Sequence, residues 1–387
     1  MKILFCCHYA KMNDYFSDIS RQIVDHETEV VDLHEVERSY RQLKVSRDVP
    51  WHELWKISHM IERGRCVRRS AWYLRRYWQW FPLSAFRRAL HLFAAYQEVL
   101  REKAPDAVCI WGMKHRTSLL ALAAHRQQLA VIYLENGVLP YTTAVDPQGI
   151  NADNSLPRDA GFYRALAAMP AKETTRSLEV RAAVPGKHGQ GAGLGTLPER
   201  YIFAPFQVDS DTQILMQSPW IRDMRRFFTL LVRAFKQLDD PQLHLIFKEH
   251  PSSASEYPDL HRIAAREERI HIVNNQLTQD LIEHAECIVT INSGVGIESL
   301  LFDRPVIVTG RAFYRIPGLV LTADSEPALL QALHEVRTFT TDPLLRRNFL
   351  HYLETQYLVP GKKFSKDEAH LQAMAAKISG LLAQQAA

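Results

Sequence analysis

The sequence lacks a long apolar segment at its start and uses cysteine sparingly. Its first ten residues, MKILFCCHYA, form a brief apolar run with little positive charge before it, and charged residues follow from Lys11. Neither a signal peptide nor a membrane-spanning helix is therefore predicted there, which favours a cytoplasmic protein. The scattered cysteines have no CxxC spacing, so they predict buried thiols rather than a zinc site or redox pair. The five cysteines are Cys6, Cys7, Cys66, Cys109 and Cys287.

Negative charge is nearly missing from residues 61–90, a window with eight arginines and one acidic residue, Glu62. Five of the seven tryptophans lie between positions 51 and 80. Arginines beside aromatic side chains suit an anionic membrane surface or a lipid-linked phosphorylated glycan, so residues 51–90 predict a peripheral contact with the inner face of the cytoplasmic membrane. A helical hairpin with inward aromatics and solvated arginines fits the same pattern. Nucleic acid also fits the charge, but the sequence has no helix-turn-helix, zinc-finger or RNP pattern, and nucleic acid is not predicted as a partner.

Strand and helix patterns alternate along the 387 residues, which are too many for one ordinary core. The expectation is an α/β protein of two Rossmann-like domains facing a cleft, the GT-B architecture, with the arginine- and aromatic-rich helices inserted in the N-terminal half. The predicted division is an N-terminal acceptor domain at 1–170, a linker at 171–198, a nucleotide-sugar donor domain at 199–345 and C-terminal helices at 346–387. The predicted strands are Lys2–Cys6, Glu29–Leu33, Asp106–Trp111, Ala130–Leu134, Tyr201–Pro205, His244–Lys248, Ile270–Val273, Cys287–Ile291 and Pro305–Val308.

Residues 292–314, reading NSGVGIESLLFDRPVIVTGRAFY, follow a predicted strand and begin a predicted helix. Gly294 and Gly296 would let backbone N–H groups approach a ligand, and Ser293 would add a hydroxyl donor. An isolated GxG is more often an ordinary packing turn. The segment therefore predicts a phosphate or carboxylate site only in combination with its neighbours.

Three further polar motifs follow predicted strands. LENG places Glu135 at a strand end, where burial can suit a carboxylate to general acid or base work, and a long polar loop at 146–158 could shape an acceptor pocket. PFQVDSDTQI supplies Asp209 and Asp211, each of which could be a nucleophile, a base or a metal ligand. KEHP places a cation, a carboxylate and an imidazole together at 248–250.

In this order, LENG, DPQGINADNSLPR, PFQVDSDTQI, KEHP and NSGVGIESLLFDRPVIVTGRAFY resemble the bacterial capsule polysaccharide synthesis family, whose members include retaining β-Kdo glycosyltransferases that use CMP-Kdo. The resemblance covers residues 130–315. It implies transfer of Kdo to a glycan or lipid-linked acceptor in capsule or lipopolysaccharide synthesis, through a covalent aspartyl-Kdo intermediate. It implies no cofactor and no metal, because CMP is a leaving group without a diphosphate to chelate.

The resemblance also implies residue roles. Asp211 would be the nucleophile and Glu135 the acid/base, with Asp209 as the alternative nucleophile, since two positions apart on a continuing strand face the same side. Residues implied to bind the donor are Lys248, His250, Asn292, Ser293, Gly294, Gln213, Arg311 and Tyr314. Residues implied to belong to the acceptor loop are Asn136, Asn151, Asn154 and Arg158.

Two other functions fit the same sequence. One is a GT-B glycosyltransferase with a different donor, such as CMP-sialic acid or a UDP- or GDP-sugar. The other is a non-catalytic binding or assembly component of a polysaccharide system that uses the arginine- and aromatic-rich segment as its working surface.

Overall fold

A computed structural model describes residues 1–40, 49–68, 81–166, 196–253 and 255–386, with side chains omitted at 61–68, 81, 82 and 386. The described chain forms two units. Unit 1 comprises Met1–Ser155 and Glu354–Ala387, and unit 2 comprises Leu156–Leu353. The predicted linker at 171–198 lies outside the described residues except for its last three positions.

Unit 1 contains a six-stranded sheet of order β12-β5-β4-β3-β1-β2, in which β1 to β4 are parallel to one another. Strand β5 pairs antiparallel with β4 on one side and with β12 on the other. The central strands are fully buried and rich in β-branched and apolar residues, as expected where helices cover both faces. The strands are β1 (Lys2–Cys7), β2 (Glu27–Asp32), β3 (Ala107–Trp111), β4 (Ala130–Asn136), β5 (Thr142–Asp146) and β12 (Leu358–Pro360). The helices are α1 (Ala10–Ser20), α2 (Leu33–Ser39), α3 (Trp51–Arg68), α4 (Phe81–Lys103), α5 (His115–Arg126) and α14 (Glu368–Ala386).

Unit 2 contains a six-stranded parallel sheet of order β11-β10-β9-β6-β7-β8. Counted from β6, this is the Rossmann strand order, and the order reverses between β6 and β9. The strands are β6 (Tyr201–Pro205), β7 (His244–Lys248), β8 (Ile270–Ile272), β9 (Cys287–Thr290), β10 (Val306–Val308) and β11 (Leu321–Thr322). The helices are α6 (Ala160–Ala165), α7 (Thr212–Gln217), α8 (Met224–Phe235), α9 (Pro258–Ala264), α10 (Thr278–Glu283), α11 (Val295–Leu301), α12 (Glu326–Glu335) and α13 (Pro343–Tyr352).

The predicted fold class, α/β with two Rossmann-like domains, is confirmed. The division of the chain differs from the prediction at two places. Residues 156–166 belong to unit 2, because Asn348 of α13 donates hydrogen bonds to the carbonyls of Tyr163 and Leu166. The predicted C-terminal helices belong to different units. Helix α13 lies in unit 2, whereas α14 packs its apolar face into the core of unit 1.

The four cysteines whose side chains the structure describes are buried free thiols, as the sequence predicted; Cys66 lies outside that set. Helices α3 and α4 confirm that the described parts of the arginine- and aromatic-rich segment are helical. Trp51 and Trp55 are 59% and 47% exposed, and both rings pack against Phe86. No described helix combines the length and apolar character needed to cross a bilayer.

Candidate active site

The loops that follow β6 and β9 meet where the strand order of unit 2 reverses, the position at which open α/β sheets bind ligands. Gln207 and Asn292 join them through a reciprocal amide pair: Gln207 Nε2 donates to Asn292 Oδ1 at 2.9 Å, and the Asn292 N–H donates to Gln207 Oε1 at 3.1 Å. Asn292 Nδ2 donates to the Gln213 carbonyl at 3.1 Å. Both amide side chains are buried. Asn292 therefore fixes the two loops together, and its predicted contact with the donor stays a prediction.

The two aspartates of the DSDTQI segment have different environments. Asp209 is 3% exposed and accepts hydrogen bonds from the Met224 N–H at 2.7 Å and from Tyr257 Oη at 2.6 Å. Burial raises the pKa of Asp209, and these hydrogen bonds offset the effect only in part. Asp211 is exposed and accepts the Gln213 N–H at 2.9 Å, which caps α7. Because β6 ends at Pro205, the alternation expected for a continuing strand does not apply to these positions.

Capping alone does not mark Asp211 as functional. Asp159, Asp223 and Asp342 accept backbone N–H groups at the starts of α6, α8 and α13 in the same unit. Aspartate is a preferred residue at such positions for purely structural reasons. What distinguishes Asp211 is its place beside the Gln207–Asn292 pair. The backbone of Gln213 connects them, because its N–H donates to Asp211 and its carbonyl accepts from Asn292 Nδ2.

The KEHP motif lies at the end of β7. Lys248 is partly buried and donates through Nζ to the carbonyls of Asn274 and Gln276 at 3.0 and 2.6 Å, and burial lowers its pKa. Glu249 is buried and its Oε1 lies 2.6 Å from His261 Nε2. His250 Nδ1 accepts the Ser252 N–H at 3.1 Å, so the neutral ring carries its proton on Nε2. Lys248 thus holds the loop after β8, and His250 presents a donor atom at Nε2.

The turn after β9 confirms the predicted sequence of strand, turn and helix. Ser293 Oγ accepts the Val295 N–H at 3.2 Å, and the Ser293 carbonyl accepts from Tyr314 Oη at 2.5 Å. The two glycines differ. A methyl group at Gly294 would meet no atom within 4 Å, whereas one at Gly296 would come within 2.5 Å of Tyr314 Oη. Gly294 therefore leaves its backbone accessible, but Gly296 serves packing against a buried tyrosine rather than ligand approach.

Arg311 marks the far end of this segment. Its side chain is exposed, and its N–H donates to the Gln217 carbonyl at 2.8 Å. Tyr314 is 1% exposed and lies behind the turn, so the described geometry gives it a supporting position. The predicted donor contacts of Arg311 and Tyr314 stay predictions.

In unit 1, Glu135 lies near the end of β4. Its Oε1 accepts from the N–H and Nδ2 of Asn136 at 2.8 and 3.1 Å. Gly112 has a φ of +67°, and a methyl group there would come within 3.2 Å of Glu135 Oε2, so glycine makes room for the carboxylate. The ammonium group of Lys363 lies 4.9 Å from the Trp111 ring centroid and is close enough to Glu135 for their charges to interact.

Lys363 was not predicted from the sequence, because it lies more than 200 positions from Glu135 in an unremarkable lysine-rich turn. Burial lowers its pKa, and the charge of Glu135 acts in the opposite direction. The pair places opposite charges together at the carboxyl edge of the unit 1 sheet.

The predicted acceptor loop is organised by Asp146, a buried residue that the sequence did not single out. Asp146 accepts the N–H groups of Gln148, Gly149 and Ser155 at 2.7, 2.9 and 2.8 Å, and Tyr357 Oη at 3.0 Å. The Asp-Pro-x-Gly spacing, typical of an Asx turn, was the available signal. The residues predicted for the acceptor loop differ in exposure: Asn136 is exposed, Asn151 and Arg158 are half-buried, and Asn154 is buried. Arg158 belongs to unit 2.

Within the described ranges, no group of three or more His, Cys, Asp or Glu side chains could hold a metal ion. Asp209 and Asp211 do not form a carboxylate pair, since the oxygens of Asp209 face Met224 and Tyr257. Metal-independence stays a prediction.

Residues 106–184 and 194–357 match the family described as capsule polysaccharide biosynthesis protein. These ranges cover more than half of the chain. The chain belongs to this family. The predicted family is thereby confirmed, and the matched ranges include Glu135 and every residue discussed above in unit 2 from Asp209 to Tyr314.

The curated proteins to which this chain is similar include FixF and KpsS. Protein FixF of Sinorhizobium fredii is 36% identical, over 65% of this chain and 59% of its own length. Capsule polysaccharide export protein KpsS of Escherichia coli is 28% identical, over 51% of this chain and 64% of its own length. The chain thus spans less than two thirds of either relative. Among solved structures, Thermosulfurimonas dismutans KpsC, beta Kdo 2,4 transferase, is 19% identical, covering 72% of this chain and 93% of that one, with a TM-score of 0.43.

Proposed function

We propose that this capsule polysaccharide biosynthesis protein is a glycosyltransferase that moves Kdo from CMP-Kdo to a glycan or glycolipid acceptor with retention of anomeric configuration. The observation that carries the proposal is the position of Asp211, an exposed carboxylate beside the strand-order reversal of unit 2. Membership of the family and the five matching motifs support the choice of donor.

Asp211 is the nucleophile in this proposal. One of its carboxylate oxygens attacks the anomeric carbon of Kdo, a bond forms between them, and the bond from that carbon to the CMP phosphate breaks. CMP leaves with the bonding electrons. Asp209 is unsuited to this step, because it is buried and both of its carboxylate oxygens accept hydrogen bonds, so an incoming donor cannot reach them.

The second displacement regenerates the enzyme. The acceptor hydroxyl attacks the same carbon, Glu135 takes the hydroxyl proton, and the aspartyl ester bond breaks. A general base must be ionised before it accepts a proton, and the ammonium group of Lys363 lies near Glu135. Two inversions at one carbon give net retention.

Donor binding is assigned to the loops after β7 and β9. His250 Nε2, the accessible backbone at Gly294 and the guanidinium of Arg311 are the groups proposed to contact the CMP phosphate and the Kdo carboxylate. Donors already oriented by the fold lose little freedom on binding an anion. Asn292, Lys248 and Tyr314 hold these loops in place.

The test is incubation of the full chain with CMP-Kdo, with and without a panel of lipid-linked and synthetic acceptors, in buffer containing EDTA. We expect release of CMP, slow without acceptor and faster with the correct one, and a β-configured product by NMR. An inverted product would contradict the covalent mechanism, and loss of activity in EDTA would contradict metal independence. Release of nucleotide only from a CMP-sialic acid, UDP-sugar or GDP-sugar control would replace CMP-Kdo with that donor.

A non-catalytic assembly protein is the alternative that the exposed pair Trp51 and Trp55 favours, since exposed tryptophans beside arginines suit an anionic bilayer. Both functions are compatible with peripheral membrane contact. Binding to phosphatidylglycerol vesicles without any release of CMP from CMP-Kdo would support the assembly protein and refute the transferase.

A further inference from the structure

A pocket of about 690 Å³ lies in unit 1, and none of the residues to which the sequence assigned roles lines it. It is formed where β1 and β2 end and where α4 and α5 pass. In unit 1 the strand order reverses between β1 and β3, so the pocket borders the position at which parallel sheets bind ligands. The cationic and imidazole side chains that line it are His34, Arg38, Arg88, His91 and Arg116.

The two carboxylates that line this pocket are already engaged. Asp32 accepts the His34 N–H at 2.8 Å and thereby caps α2. Glu37 accepts from Arg116 and from Tyr96 Oη, and although burial opposes its ionisation, these hydrogen bonds hold its pKa below the ordinary value. Each carboxylate is thus satisfied from inside the protein.

Two arginines that line the pocket, Arg38 and Arg88, have no such carboxylate partner among the described residues. Arg88 and His91 line the pocket from α4, and Arg38 lines it from α2, where its Nε donates only to the His34 carbonyl at 3.3 Å. Among the residues that the structure describes, no carboxylate pairs with Arg38 or Arg88. Their guanidinium groups remain available to a planar or tetrahedral anion, which arginine binds through two parallel hydrogen bonds.

Two neighbouring features point in the same direction. Burial lowers the pKa of His8, and the nearby charges of Arg116, Lys114 and His34 act in the same direction, against that of Glu37, so several cations lie near the end of β1. The 11-residue helix α1 begins at the pocket with no side-chain cap and no acidic residue in its first turn. Its first N–H groups therefore add partial positive charge at the same place.

We propose that this pocket binds a phosphate or carboxylate group carried on a sugar- or glycerol-sized molecule. The volume is in the range of small-molecule sites, about 300–1,000 Å³, and exceeds what one inorganic anion fills. Binding here does not depend on transfer activity. We assign the bound group to the anionic part of the acceptor, and this assignment rests on the proposed glycosyltransferase function.

The experiment is calorimetric titration of the full chain with glycerol phosphate and with glucuronate, with glycerol and glucose as neutral controls. The two anions distinguish a phosphate from a carboxylate ligand. The variant is Arg88→Gln, and the matched control is Arg87→Gln, since Arg87 is exposed on the same helix but does not line the pocket. We expect Arg88→Gln to weaken the preferred anion at least tenfold and Arg87→Gln to change it less than twofold, with both variants keeping the wild-type melting temperature.

Two results would overturn the proposal: anions that bind no better than their neutral controls, or equal weakening by the two substitutions, which would indicate general surface charge. Failure of the transferase is recognised separately. If CMP-Kdo is neither bound nor hydrolysed while Arg88→Gln still selectively weakens anion binding, the proposed function falls and the pocket stands. If Arg88→Gln and wild type release CMP alike but neither binds an anion here, the pocket falls and the transferase stands.

Discussion

Replacing Asp211 with asparagine separates its two roles. The Asp211 carboxylate caps the six-residue helix α7 through the Gln213 N–H. Asparagine caps a helix about as well as aspartate, so the free energy of unfolding should change by no more than a few tenths of a kcal/mol, whereas alanine would cost about 0.5–2 kcal/mol. The amide cannot form the glycosyl ester. Turnover should therefore fall on the order of 10⁴-fold or more, which is about 5.5 kcal/mol of barrier.

Asp223→Asn is the control, because Asp223 caps α8 through the Arg226 N–H at 2.7 Å and has no proposed role in chemistry. Urea unfolding should show both asparagine variants within error of the wild type, and CMP release from CMP-Kdo should fall only in Asp211→Asn. Mass spectrometry under denaturing conditions should find a Kdo adduct on Asp211 in the wild type. An Asp211→Asn protein with near-normal turnover, or an equal loss in Asp223→Asn, would refute the reasoning.

Three other predictions concern residues around this site. Gly294→Ala should keep or slightly raise stability, by about 0.4–1 kcal/mol, because the position is helical and open, yet it should weaken CMP binding in calorimetry. Gly296→Ala should lower stability by about 1–3 kcal/mol, because the added methyl group clashes with Tyr314. The glycine assignments fail if the two variants lose stability equally. Tyr257→Phe should cost about 1–3 kcal/mol by removing a donor to buried Asp209. Burial raises the pKa of Asp209 in the folded protein above its unfolded value of about 3.9. Between these two pKa values the folded protein binds more protons than the unfolded chain. The contribution of Asp209 to stability therefore declines as the pH rises through that window. Unfolding free energies measured from about pH 4 upward should show this decline in the wild type and not in Asp209→Asn; parallel curves would disprove it.

Five of the six strands described in unit 2 match predicted strands to within one residue at each end, whereas the two-residue strand β11 was not predicted. Tyr201–Pro205 and His244–Lys248 have the predicted bounds, because continuous apolar runs flanked by polar turns are a strong local signal. Unit 1 was harder at its antiparallel edge. Thr142–Asp146 is short and half polar, and Leu358–Pro360 has three residues, so neither run shows a pattern until it is paired.

The sequence located the strand ends at which the candidate site residues lie, but not the environment of each residue there. That Asp209 is buried depends on Tyr257 and Met224, which are 48 and 15 positions away and carry no sequence signal for that contact. Gly296 could not be told apart from Gly294, because the difference is the ring of Tyr314 packed against one of them. Local patterns locate strand ends; distant side chains decide what each residue there does.

The discontinuity of unit 1 has a consequence for synthesis on the ribosome. Strand β12 and helix α14, which complete the sheet and core of unit 1, are translated after all of unit 2. Unit 2 is one continuous segment and can close its sheet while β12 is still being made. The first half of unit 1 is therefore made with the edge of β5 unpaired and with Tyr15 of α1 lacking its hydrogen-bond partner His370, which exposes the nascent chain at that stage to aggregation and to chaperones.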